Sequence, residues 1–208
     1  MIKAIIFDID GVLLDSQKAN GAFFQNVLGD SGYKRPEKRQ AYKVFNRTLM
    51  DGLRILSKEK SKSKLKKLWL KARSFPYPLN LARIPKGEIS AIEKLSGSYK
   101  LGIATSRVRT GVVKLRAIGL PYDKFGVVVT FEDYKHPKPH PEPLLLTAKK
   151  LGVKPCNCIY VGDQHTDMQA AHAAGMRFIL YSKKRLKGAD MAVSTFPGLL
   201  ASIKALSN

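Results

Sequence analysis

Four short segments hold side chains that could do chemistry together. FDIDG sets Asp8 and Asp10 two residues apart, IATS ends in Thr105 and Ser106, HPKPHP holds Lys138, and GDQHTD holds Asp163 and Asp167. A phosphate dianion repels an approaching carboxylate, so phosphoryl transfer to such a group needs fixed positive charge and a cation close by. Asp8 and Asp163 offer the oxygen ligands that a hard cation such as magnesium prefers. Lys138 supplies a point charge, and the Thr105 hydroxyl can donate to a phosphoryl oxygen, with Ser106 beside it. Asp10 is placed to protonate a departing alkoxide and then to take a proton from water. A lone DxD has an ordinary alternative, because acidic pairs also cap helices and decorate turns. The combination is what specifies phosphoryl chemistry.

The elements needed to position these groups are legible as alternating apolar runs and helical patterns, which is the signature of a parallel sheet with crossover helices. Strands are expected at AIIFDI (4–9), YKLGIAT (99–105), FGVVVT (125–130), CIYVG (158–162) and RFILY (177–181), with MAV (191–193) as a short edge strand. Helices are expected in KGEISAIEKLSG, VRTGVVKLRAIG, PEPLLLTAKKLG and HTDMQAAHAAG, each ending near a glycine. In such a sheet ligands bind at the carboxyl ends of the strands, where Asp8, Asp10, Thr105, Ser106, Lys138, Asp163 and Asp167 all fall. Gly11 permits a sharp departure from the first strand.

Residues 16–84 break the alternation and read as a run of helices. Leu49, Leu53 and Leu56, then Leu65, Leu68, Trp69 and Ala72, recur at helical spacing, with SKEKSKSK between them as a turn or an exposed helix end. Pro76, Pro78 and Pro85 mark the return to the sheet. The expected fold is therefore α/β, a doubly wound parallel sheet formed by 1–15 and 85–208, with an inserted helical domain over 16–84.

The 208 residues, 44% of them hydrophobic, are enough to bury a full core. The apolar run before Asp8 is too short for a signal peptide or a span, so a cytoplasmic protein without a membrane partner is expected. Cys156 and Cys158 are read as buried free thiols. The formal net charge is +21, and residues 34–86 hold 17 Lys or Arg against Glu37, Asp51 and Glu59. These cations admit three readings: recognition of an anionic substrate, an outward surface for nucleic acid or another polyanion, or solvated helix faces. Nothing in the sequence specifies an oligomeric state.

In its motifs the chain resembles the haloacid dehalogenase (HAD) superfamily, specifically the phosphatases with a helical cap after the first strand, the phosphoglycolate phosphatase and β-phosphoglucomutase-like group. FDIDGVLLDS resembles the first motif, IATS the second, Lys138 in PKP the third and VGDQHTDMQAAHAAG the fourth, in order and at similar spacing. The resemblance implies a Rossmann-like core and a magnesium-dependent phosphomonoester hydrolase acting on a small phosphorylated metabolite: a phosphoglycolate-like acid, a sugar phosphate or a nucleotide. It implies Asp8 as nucleophile and Asp10 as general acid and base, with Thr105, Ser106 and Lys138 holding the phosphoryl group. Magnesium would be held by Asp8, Asp163 and the backbone carbonyl of Asp10, with Asp167 as a nearby or water-mediated ligand. Two positions depart from the commonest pattern: His136 and Pro137 stand where glycine is frequent, and Asn20 where the sugar phosphomutases tend to carry histidine. A phosphomutase using the same covalent step is the alternative, and a nucleic-acid-associated binding protein on a phosphatase fold is the alternative of a different class. His165 is read as a helix-start residue or a support behind the site residues, His140 and His172 as surface or packing residues, and Asp15 and Ser16 as hinge or helix-capping residues.

Overall fold

In the computed structural model, which describes residues 1–44 and 47–207, the apolar runs become the strands of one sheet. They are Ala4–Phe7 (β1), Lys100–Ala104 (β2), Val127–Val129 (β3), Cys158–Gly162 (β4), Arg177–Tyr181 (β5) and Met191–Val193 (β6), in the order β3-β2-β1-β4-β5-β6. Every pairing is parallel, with Phe7 of β1 registered on Ile103 of β2 and on Val161 of β4. All residues of β1 and β4 are buried, as strands covered on both faces must be. The chain leaves β1 for β2 and β3 on one side and returns to β4, β5 and β6 on the other. The order therefore switches between β1 and β4, and a crevice at their carboxyl ends follows.

Helices Glu142–Leu151 (α7) and His165–Ala173 (α8) cover one face. There Ala4, Ile6, Ala104, Tyr160, Phe178 and Leu180, alternate residues of their strands, pack with Leu144, Ala148, Leu151, Met168 and Ala171. On the other face Glu88–Ser96 (α5) packs on β2 and on Phe196–Ser207 (α9), which in turn meets β5 and β6. α9 was not anticipated above, although Phe196, Leu199 and Ile203 are buried at helical spacing and the Thr195 hydroxyl accepts from Gly198 N–H at 3.2 Å.

Three expected boundaries shift. β1 ends at Phe7, β2 spans Lys100–Ala104 and β3 only Val127–Val129, so Asp8, Asp10 and Thr105 stand just beyond strand ends. The expected helix over 108–119 is split into Arg109–Val113 (α6) and a tighter 3-10 turn, Lys114–Ile118. Gly111 and the β-branched pair Val112 and Val113 weaken a regular helix there, and Gly119 at φ +93° ends it. Cys158 is buried but Cys156 is exposed, so only one of the two thiols matches the expectation; both are free.

By its contacts the chain divides into two compact units, Met1–Leu14 with Ile84–Asn208, and Asp15–Arg83. The second unit holds Gln17–Asp30 (α1), Lys38–Lys43 (α2), Leu49–Ser57 (α3) and Lys62–Ser74 (α4). Phe23, Phe24, Val27 and Leu28 of α1 pack with Leu53, Leu68 and Ala72. Its two ends are joined by reciprocal backbone bonds between Asp15 and Arg83, at 2.9 and 3.1 Å. Ser16 occupies the N-cap position of α1 without a side-chain capping bond. SKEKSKSK resolves as a turn: Lys58, at φ 57°, closes α3, and the Ser61 hydroxyl accepts from Lys64 N–H to open α4.

Candidate active site

The carboxyl ends of β1 and β4 bring three carboxylates and one ammonium together. Asp8 follows β1, and its N–H donates to the Val161 carbonyl at 2.9 Å, which ties the residue to β4. Asp163 follows β4, and Asp167 sits in the first turn of α8. One carboxylate oxygen from each of Asp8, Asp163 and Asp167 lies within 4.8 Å of the other two. Lys138 reaches the cluster from the loop before α7, with its Nζ 2.6 Å from Asp167 Oδ1 and 3.2 Å from Asp8 Oδ2.

Two glycines make this approach possible. A Cβ on Gly11, at φ +77°, would stand 2.2 Å from Asp163 Oδ2, and one on Gly162 would stand 2.5 Å from the Asp167 Cβ. Any larger residue at either position would displace a carboxylate. The turn that carries Asp10 is closed by Gly11 N–H and Leu14 N–H donating to the carbonyls of Leu14 and Ile9, both at 2.9 Å.

Burial dominates the electrostatics. Asp8, 8% exposed, is pushed up to about 7 by burial, with Lys138 opposing and Asp167 and Asp10 adding to the rise. Burial raises Asp163 to about 8, reinforced by Asp167 and Asp8. For Lys138 burial works downward, but Asp167 and Asp8 hold it well above its ordinary value, so it stays a cation. Carboxylates crowded in this way are relieved by a positive charge bound among them. The donors are all carboxylate oxygens, which fits a hard divalent cation. Asp8 and Asp163 are the residues best placed to hold it. Asp167 is already committed: its Oδ2 accepts from Asp163 N–H and Gln164 N–H at 3.1 and 3.0 Å, and its Oδ1 takes Lys138.

Asp10 is not in that cluster. Both of its oxygens are taken by Arg107, Nε to Oδ2 and Nη2 to Oδ1, each at 2.7 Å, with the two side chains 24% and 10% exposed. Thr105 is buried, and its Oγ1 accepts the Arg107 N–H at 3.2 Å, which leaves the hydroxyl hydrogen to be donated. Ser106 is exposed, and the Tyr134 phenol donates to the Thr105 carbonyl at 3.2 Å.

Three side chains here carried no expectation. Arg107 fixes Asp10. Tyr160, buried in β4, accepts from Lys138 Nζ at 2.8 Å and donates to the Ala104 carbonyl at 3.2 Å, so it steers the ammonium. Gln164 Nε2 donates to Asp163 Oδ2. A tyrosine inside a wholly apolar strand is a readable signal, because its hydroxyl must find a partner. His165 is the exposed first residue of α8, as a helix-start role requires. His140 and His172 are both exposed, as surface residues were expected to be; His172 pairs with Asp190 at 3.1 Å and His140 lies against His136.

The parallel sheet with its acidic cluster and buried lysine defines a class. Residues 5–181 match the model of the haloacid dehalogenase-like hydrolases, and the chain belongs to that family. Within it the chain is an enzyme of the phosphatase kind. The pyrophosphatase PpaX of Bacillus velezensis is 29% identical over 182 residues, 85% of this chain and 81% of that one. A HAD-superfamily hydrolase of subfamily IA, variant 1, from Geobacter sulfurreducens is 30% identical with a TM-score of 0.77, the match covering 97% of this chain and all of that one. The β-phosphoglucomutase of Clostridium difficile, at 24% identity, shares the fold with a TM-score of 0.82 over 100% of this chain and 98% of that one.

Proposed function

We propose that the chain is a magnesium-dependent phosphomonoester hydrolase that works through an aspartyl-phosphate on Asp8. The observation that carries this reading is the buried Lys138 ammonium held between Asp8 and Asp167, with Asp163 alongside. An anionic nucleophile and an anionic substrate can meet only where such charge is supplied in advance.

Asp8 attacks phosphorus, the bond from phosphorus to the ester oxygen breaks, and Asp10, protonated on an oxygen released from Arg107, gives the ester oxygen its proton. Asp10 then takes a proton from water as the water oxygen attacks phosphorus, which frees inorganic phosphate and restores the Asp8 carboxylate. Lys138 and the Thr105 hydroxyl hold the phosphoryl oxygens, while Asp167 and Tyr160 hold Lys138. Asp8 and Asp163 would hold magnesium, which when bound would supply positive charge that offsets repulsion between carboxylate and phosphoryl group. The substrate class proposed is a small anionic phosphate ester, and the name of the PpaX relative adds inorganic pyrophosphate to the compounds to be tried.

The test is phosphate release from a panel of phosphoglycolate, sugar phosphates, nucleoside monophosphates and pyrophosphate, in magnesium and in chelator, for wild type and Asp8→Asn. Release that needs magnesium and vanishes in Asp8→Asn is expected. Undiminished release by Asp8→Asn refutes the covalent reading. Turnover that appears only when a sugar bisphosphate is added reassigns the enzyme as a mutase.

A further inference from the structure

A second group of metal-ligating side chains lies on the loop that carries Lys138. In His136-Pro137-Lys138-Pro139-His140-Pro141-Glu142 the donors His136, His140 and Glu142 are spaced by prolines that fix φ at every second residue. The structure draws them together. His136 Nδ1 is 2.7 Å from Glu142 Oε2, the two imidazole centroids are 4.7 Å apart, and Glu142 N–H donates to His140 Nδ1 at 3.2 Å. One ligand atom from each of the three residues lies within 4.8 Å of the other two.

The carboxylate is set in place before any ion arrives. Lys135 N–H donates to one Glu142 oxygen and His136 N–H to the other, both at 3.0 Å. These bonds, with His136, bring Glu142 down to about 2, so it is anionic at any ordinary pH. Glu142 is also the first residue of α7, so its backbone is anchored. Both histidines are exposed, so an ion can reach them from solvent.

The donor set decides which cation fits. Two imidazoles and a carboxylate, with an open fourth position, suit zinc and its neighbours, whereas magnesium avoids nitrogen ligands. Ligand atoms on a tetrahedral zinc stand about 3.3 Å apart when its bonds are about 2.0 Å. The pair already at 2.7 Å opens slightly to reach that spacing, and the exposed rings turn to close the rest.

We propose that His136, His140 and Glu142 form a binding site for a borderline divalent transition cation, with Zn2+ as the probe, distinct in donor chemistry from the oxygen cluster of Asp8, Asp163 and Asp167. A bound ion closes a ring from residue 136 to residue 142 around Lys138 and thereby restrains the loop that sets the ammonium against Asp8. The proposal stands apart from the reading of the Asp8 site, since it concerns binding alone.

The test is equilibrium dialysis of the full chain against low-micromolar zinc with magnesium in large excess, followed by metal analysis, together with thermal unfolding with and without zinc. Wild type is expected to retain one zinc per chain and to melt higher with zinc present. His136→Ala/His140→Ala is expected to bind zinc at least about tenfold more weakly and to lose the thermal shift while melting like wild type without zinc. Glu142→Gln provides an independent variant with both rings in place, and Cys156→Ser, which removes the exposed thiol, is expected to keep the zinc. Equal zinc affinity in wild type and the double histidine variant, or no zinc retained by wild type, overturns the proposal.

Discussion

Arg107 decides where the Asp10 carboxylate stands. A two-pronged guanidinium contact fixes both oxygens of its partner, something a lysine ammonium cannot reproduce. If Asp10 shuttles the proton of the leaving group, Arg107→Ala lowers kcat by about 10- to 100-fold, within the usual worth of a positioned acid or base, and leaves KM nearly unchanged. Arg107→Lys recovers part of the loss. The informative measurement is kcat on an alkyl phosphate against kcat on 4-nitrophenyl phosphate. Loss concentrated on the alkyl ester supports positioning of Asp10, and an equal loss on both assigns Arg107 to substrate binding instead. The candidate site was legible where charged residues directly follow apolar strand runs, as at Asp8 and Asp163, and where a lysine stands in a proline-spaced loop, as at Lys138. Arg107 was not, because nothing local marks one cation among 37 Lys and Arg as the partner of a residue 97 positions away. The histidine pair around Lys138 was passed over for a related reason: its partner, Glu142, becomes a neighbour only once the proline-spaced loop folds back.

At the scale of elements, strands buried on both faces announced themselves, and weaker segments did not. β1 and β4 are continuous apolar runs, whereas α6 depended on Gly111 and two valines, and α9 on a cap and three apolar positions. The helix α5 holds the least expected group of all. Glu88, in its first turn, is fully buried, and neither carboxylate oxygen has a hydrogen-bond partner among the described residues. Burial raises it from 4.5 to about 8, and Tyr181 is the other titratable group that feels its charge. The folded chain therefore holds a proton on Glu88 that the unfolded chain has released, over the whole window from about pH 4.5 to about pH 8. Stability contributed by this group is intact below that window, falls by up to about 1.4 kcal/mol per pH unit across it, and stays low above it. Glu88→Gln keeps the shape and removes the titration, so its advantage over wild type grows from pH 5 to pH 8. Urea unfolding of both proteins at pH 5, 6.5, 8 and 9 checks this, and parallel pH profiles would show that Glu88 ionises without penalty.

For the whole molecule the largest number is the net charge of +21, two thirds of which lies in residues 34–86. α4 shows how that charge is presented. Leu68 and Ala72 are its buried line, with Lys62, Lys66 and Arg73 on one flank and Lys64, Lys67 and Lys71 on the other. Lys71 pairs with Asp30, but Lys62, Lys66 and Lys67 are exposed and make no ion pair among the described residues. The aromatic ring in this helix is covered, since the Arg73 guanidinium lies 4.7 Å from the centroid of Trp69. Stacking of unpaired bases is thus disfavoured, and contact with a phosphate backbone is the mode these cations support. No helix among the described residues is long and apolar enough to cross a membrane. Anisotropy of a short labelled DNA duplex at rising salt measures the effect. Binding at low salt is expected to weaken linearly in log K against log salt, and Lys62→Glu/Lys66→Glu/Lys67→Glu should reduce the slope by about three. A duplex that stays free at low salt, or a slope unchanged in the triple variant, would make these lysines a solvated helix face and leave the charge with the small anionic substrate.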